Sequence, residues 1–165
     1  MSFKIITISR EFGSGGRFIG EQIAQKCGIE FYDKKIIEHV AKELGISEQI
    51  VANQGEYAPA GSIFSYAFVG RDITGVSLSD QIFNIQQKLI KDIAQKEPCV
   101  IVGRCADYIL SDRDDVLNVF IEGNKPEKAA SITKLSQNSD DEVKKLLNDV
   151  DKKRSVDYRY FTDKE

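Results

Sequence analysis

The stretch ISREFGSGGRFIG, residues 8–20, sets Gly13, Ser14, Gly15 and Gly16 between two arginines, Arg10 and Arg17. A glycine turn between an apolar run and a helical pattern suits an anion. Glycine admits backbone angles that let N–H groups converge, and a helix amino end adds its dipole. Three readings compete. A phosphate cradle uses those N–H groups, with Arg17 as neutralising cation and Ser9 and Arg10 on the other flank. A dinucleotide fingerprint, GxGxxG, needs a third glycine where Phe18 stands, although Asp33 lies at a suitable distance for a ribose-binding acid. A plain strand-to-helix turn needs neither so many glycines nor the flanking arginines. The phosphate cradle accounts for the most residues.

Other chemically capable groups follow. Asp33 comes directly before an apolar helical face, so it suits a helix cap or a contact to a sugar or base. Arg104 ends the apolar run CVIVG, a place from which an arginine can hold phosphate bidentately; the alternative is a structural pair with Asp107. The aromatic side chains of Tyr57, Phe64, Tyr66 and Phe68 suit the packing of a small satellite core. Cys27, Cys99 and Cys105 form no CxxC pair and His39 is the only histidine, which leaves no zinc set.

The elements that must position these groups are legible from periodicity. FKIITI (Phe3–Ile8) reads as a buried strand, and a short helix is expected over Arg17–Lys26. Ile29–Tyr32 reads as a strand or an extended link. Ile36, Ile37, Val40, Ala41 and Leu44 line a helix closed by Gly45. Residues 46–76 show no sustained period, with local helix expected only around Ile63–Val69. Ser77 and Asp80 have capping-box spacing ahead of Ile82, Ile85, Leu89 and Ile93; so do Ser139 and Glu142 ahead of Val143, Leu146, Leu147 and Val150. CVIV and Val116–Ile121 complete the strands. Continuously apolar strands separated by helices indicate a parallel sheet covered on both faces.

With 165 residues, 41% of them apolar and 30% charged, the chain suits one main domain. A net charge of −3 argues against a broadly basic surface for nucleic acid. No apolar run is long enough to span a bilayer, and a cytoplasmic setting is expected. The chain reaches Glu165 without a final strand, so further fold elements are expected beyond it.

Taken in order, ISREFGSGGRFIG, FYDKKII, VIVGRCADYIL and DKKRSVDYRYFT resemble the cytidylate-kinase-like family of nucleoside-monophosphate kinases over nearly the whole chain. The resemblance implies an α/β fold of the P-loop nucleoside-triphosphate-hydrolase kind, as one domain over residues 1–165. It also implies an acceptor-binding lobe at 45–76 and a lid-like helical region at 123–154. The activity implied is phosphoryl transfer from ATP, with Mg2+, to a nucleoside monophosphate, CMP or dCMP first. The alternatives are a kinase for another small acceptor and a nucleotide-binding regulatory protein with weak or no kinase activity. By the same resemblance Arg10, Gly13, Ser14, Gly15, Gly16, Arg17 and Phe18 face the donor, and Asp33, Tyr66, Arg71 and Arg104 face the acceptor. Arg17, Arg104, Asp107 and Arg154 carry the catalytic charge, with no resident metal ligands assigned. The partner is a small nucleotide rather than nucleic acid or membrane, and a homodimer is left open.

Departures from ordinary cytidylate kinases are specific, although the cytidylate-kinase-like branch itself tends to carry GSGGR. Laid on GxxGSGKGT, the chain has Arg10 at the first glycine, Gly16 at the lysine and Phe18 at the threonine. GRCAD replaces GRDIG, so Cys105 takes the aspartate's place. No arginine lies between Arg113 and Arg154; Lys125, Lys128 and Lys134 stand where lid charges are expected, and helical lysines ordinarily face solvent.

Overall fold

The protein was analysed as a computed structural model, which describes residues 3–54, 75–133 and 139–164. Four strands form one parallel sheet: β1 (Ile5–Arg10), β2 (Glu30–Tyr32), β3 (Cys99–Val102) and β4 (Val116–Ile121), in the order β2-β3-β1-β4. Seven helices are described: α1 (Gly16–Cys27), α2 (Lys34–Leu44), α3 (Glu48–Gln54), α4 (Leu78–Lys96), α5 (Ala106–Ile109), α6 (Lys125–Thr133) and α7 (Asp140–Thr162). This is the α/β arrangement that the apolar runs predict.

Alternation along the central strands sorts the core into two layers. Ile8, Val100 and Val102 face α1 through Ala24. Ile5, Cys99 and Ile101 face the other way, onto Ile36, Val40, Val51, Ile82, Ile90 and Ile109 from α2 to α5. A third cluster, Ile132, Val143 and Leu147, joins α6 to α7 and takes in Phe12 from the glycine loop. β4 departs from expectation. Its apolar run is only half-buried, with Leu117 38% and Phe120 63% exposed, and among the described residues it is an edge strand paired with β1.

Helix ends follow local chemistry. Ser77 accepts from the Asp80 N–H, and Ser139 and Glu142 form a complete capping box, as their spacing predicts. α3 was not legible in the sequence: it is short, and among its described side chains Val51 alone is fully buried. The expected helix around Ile63–Val69, together with Tyr57, Phe64, Tyr66, Phe68, Arg71 and Lys134, lies outside the described residues.

Because parallel strands bring all their carboxyl ends to one edge, the sheet order sets the functional groups in a row. Asp33 follows β2, Arg104 follows β3, Arg10 ends β1, and Gly123 follows β4. Across that edge α7 supplies Asp151, Arg154 and Tyr158. Ser139→Ala removes the cap of this helix and is expected to lower stability by about 1 kcal/mol, measured by urea unfolding. An unchanged midpoint would contradict the capping role.

Candidate active site

The loop from β1 to α1 turns on two left-handed glycines, Gly13 at φ 77° and Gly15 at φ 78°. Gly15 occupies the N-cap position of α1, no side chain caps the helix there, and Gly15 and Arg17 are exposed. A side chain at Gly15 would meet nothing within 4 Å, so the backbone angle is what requires glycine. At Gly13 the constraint is also steric, since an added Cβ would lie 3.1 Å from Ile132 and from the Lys128 carbonyl of α6. Nearby polar groups point elsewhere: the Ser14 hydroxyl donates to the Glu11 carbonyl at 2.9 Å. The amino end of α1 is thus an open anion-binding geometry.

Gly16 and Arg10 fit each other. A Cβ at Gly16 would come within 2.7 Å of the Arg10 Cβ and 3.0 Å of its Cγ. The position where a related loop carries lysine has no room for a side chain while Arg10 is present. Arg10 itself is buried at the end of β1.

Arg17 and Asp33 form a second pair. The Arg17 Nε lies 3.0 Å from Asp33 Oδ2; the carboxylate side chain is fully buried and the arginine about half exposed. Asp33 does hold the N-cap position of α2, but its side chain makes no capping hydrogen bond there. The capping reading is corrected: the carboxylate turns to the guanidinium.

On the other flank a polar network fastens the loop to α6 and α7. Lys128 Nζ lies 3.0 Å from both Glu11 Oε2 and Asp151 Oδ2. Asp151 Oδ1 accepts the Phe12 N–H at 2.6 Å, and Glu11 accepts the Gly123 N–H at 3.1 Å. Arg154 donates to the Arg10 carbonyl at 3.1 Å and lies 5.6 Å over the Phe12 ring. Lys128 is buried rather than solvated, a correction to the sequence expectation. Burial opposes its charge, yet Asp151 and Glu11 hold its pKa above the ordinary lysine value. The Gly123 N–H, then Lys128, hold Glu11 below the usual carboxylate range.

Beside this network is a cavity of about 440 Å³ whose walls include Ser9, Arg10, Asp107, Phe120, Arg154 and Tyr158. Tyr158 donates its hydroxyl to Asp107 Oδ2 at 2.7 Å, and burial followed by Asp107 pushes the phenol pKa up. Gly103, Arg104 and Cys105 all take positive φ, at 71°, 62° and 53°. Two consecutive non-glycine residues in that region store strain of about 1–3 kcal/mol each. Arg104 is buried there.

The structure therefore brings Arg10, Asp107 and Arg154 to one cavity and Arg17 and Asp33 to one ion pair, with the β3 end that carries Arg104 between them in the sheet order. Phe18 projects outward, 66% exposed. Tyr66 and Arg71 lie outside the described residues. Tyr158, expected only to support the end of its helix, borders the cavity and bonds Asp107. Glu11 and Asp151 were missed, although Asp151, Arg154 and Tyr158 recur at helical spacing and form a polar stripe readable in DKKRSVDY. The same spacing joins Lys128 to Ile132.

A family model described as the cytidylate kinase-like family matches residues 5–165. Among solved structures, an uncharacterized protein from Eubacterium ventriosum superposes with a TM-score of 0.70 at 26% identity, covering 98% of this chain and 79% of that one. A shikimate kinase from Bacteroides thetaiotaomicron gives a TM-score of 0.54 at 17% identity, covering 94% and 81%. One from Acinetobacter baumannii, in complex with shikimate, gives 0.52 at 12%, covering 96% and 79%. These last two show the fold alone. The search of curated proteins finds no match.

Gly16→Lys, which restores the common loop's cation, is expected to destabilise the fold by about 1–3 kcal/mol through overpacking. The Arg10→Gly, Gly16→Lys double variant should lose less than the sum of the singles in urea unfolding. Strict additivity would contradict the steric account. The network also has a pH signature. Because the Glu11 pKa is depressed on folding, its contribution is present above the ordinary value of 4.5 and is lost as pH falls through the depressed one. For Lys128, raised on folding, the contribution is present below 10.5 and lost as pH rises through the folded value. Glu11→Gln should therefore flatten the fall in stability between about pH 5 and pH 3, followed by urea melts; an unchanged acid slope would contradict it.

Proposed function

The chain belongs to the cytidylate kinase-like family, and from that premise we propose that it transfers the terminal phosphoryl group of ATP to a nucleoside monophosphate, CMP or dCMP first. One observation carries the reading: an uncapped, solvent-open amino end of α1 whose second residue, Arg17, is held by a buried carboxylate. The helix dipole and free N–H groups suit the donor's phosphates, and guanidinium groups suit charge spread over the transferring group. The ATP assigned to the family fits this loop.

Magnesium fits it less well. The threonine position is taken by outward-facing Phe18, the Ser14 hydroxyl is bonded to Glu11, and Asp33 carries Arg17. Family membership implies Mg2+ use in general terms, but Phe18, Ser14 and Asp33 do not offer it free ligands.

In the proposed reaction an oxygen of the acceptor's phosphate attacks the γ-phosphorus while its bond to the bridging β-oxygen breaks. ADP leaves and the acceptor becomes a diphosphate. The attacking oxygen is already ionised near neutral pH, so no strong base is needed. Arg104, at the strand end beside β1, is assigned to the acceptor phosphate, and Arg154 to the donor side, where it already holds the Arg10 carbonyl. The cavity bordered by Asp107 and Tyr158 is assigned to the acceptor. Residues 45–76 and 123–154 are assigned as acceptor lobe and lid.

A second reading, nucleotide binding without turnover, is favoured by one feature: Gly16 leaves no room for the lysine that would follow the phosphoryl group. A coupled ADP-release assay with CMP, dCMP, UMP, AMP and GMP separates the two. Turnover is expected with the cytidylates, and Arg104→Met should lower kcat/KM for the acceptor by about tenfold to a hundredfold, the loss of a charged hydrogen bond. Binding of ATP with no turnover on any monophosphate would leave the second reading standing.

A further inference from the structure

In ordinary loops of this kind a lysine and a metal-holding hydroxyl bring positive charge to the phosphates; this chain has Gly16 and Phe18 at those positions. We infer that Asp33 is a positioning residue which fixes Arg17 as the replacement cation, so that the loop grips a nucleotide's phosphates without requiring magnesium. The inference rests on the proposal that this loop holds nucleotide phosphate, and it extends that proposal to the source of the charge.

The geometry is asymmetric in a useful way. Asp33 is the one carboxylate among the buried polar side chains described, and it engages Arg17 through Nε. The arginine side chain is 48% exposed, which leaves guanidinium donors available to a ligand. A guanidinium with a buried carboxylate beside its Nε has its rotational freedom narrowed before a ligand arrives, and its other donors match phosphate oxygens. It does so from the first turn of α1, where the uncapped N–H groups also favour an anion.

The same pairing works against a metal. A magnesium ion entering beside Asp33 would have to displace Arg17 from a carboxylate that has no solvent of its own. Hard cations of this kind need oxygen ligands, and neither Phe18 nor the committed Ser14 hydroxyl supplies one. Charge that would come with a metal is supplied instead by a side chain built into the fold.

Calorimetric titration with ATP, once in Mg2+ and once in EDTA, tests this without reference to turnover. For the native chain the two dissociation constants are expected to agree within about threefold. Asp33→Asn and Arg17→Ala should weaken metal-free binding about tenfold or more, and in Arg17→Ala magnesium should recover much of the loss, widening the ratio between conditions to about tenfold. A merely structural role would leave that ratio unmoved. Arg17→Lys should restore metal-free binding only in part, because a lysine point charge lacks the planar fork of donors that matches phosphate oxygens. Should Asp33→Asn fail to fold, the two variants at half-exposed Arg17 decide. Native binding that improves more than about tenfold with Mg2+, or Arg17 variants that bind metal-free ATP as tightly as the native chain, would overturn the inference and leave the nucleotide site intact. No ATP binding in either condition would overturn both.

Discussion

The amino end of α1 has a glycine at its N-cap, and among the described residues no side-chain hydrogen bond caps it. Among the described residues, several oxygen acceptors around the loop are committed elsewhere: the Ser14 hydroxyl lies against the Glu11 carbonyl, Asp33 pairs with Arg17, Glu11 with Gly123 and Lys128, and Asp151 with the Phe12 N–H and Lys128. Unpaired helix N–H groups are costly unless water or a ligand meets them. The left-handed angles of Gly13 and Gly15 hold this end facing solvent. Once the end stays open, the neighbouring guanidinium groups have a common anion to serve.

The two flanks of the loop do different work. On the β2 side a single ion pair links the loop to the start of α2. On the β4 side Lys128, Asp151 and Arg154 bind the loop backbone to α6 and α7, and Gly13 lies so close to α6 that the helix and the loop must move together. A lysine with its charged end buried between two carboxylates contributes little net stability compared with apolar packing, but removing one partner strands the others. Its value here is register: it fixes which turn of α6 meets the loop. Strain at Arg104 and Cys105 is a further cost concentrated at the same edge, as is common where ligands bind.

Much of this was legible beforehand. The sheet followed from unbroken apolar runs at β1 and β3, and two helix starts followed from Ser–x–x–acid spacing at Ser77 and Ser139. The glycine loop declared itself by its glycines and arginines. What the sequence hid was pairing. Nothing local to Asp33 distinguishes a cap from an ion-pair acceptor, because its partner lies sixteen residues earlier in another element. Lys128 looked like an ordinary surface lysine because its burial depends on Glu11 and Asp151, neither near it in sequence. α3 was missed because one anchoring residue, Val51, gives no periodicity. Local chemistry is written in windows of a turn or two; long-range polar contacts are not.

The central claim is that the backbone amides opening α1 receive a nucleotide's phosphates. Amide chemical shifts of the nitrogen-labelled protein, followed while ADP is added, test it most directly. The account requires saturable shifts of the Gly15, Gly16, Arg17 and Phe18 amides, larger than those in the covered core. Amides at these positions that stay unmoved with ADP raised to about a millimolar, where even weak binders with free energies near −4 kcal/mol respond, would contradict it.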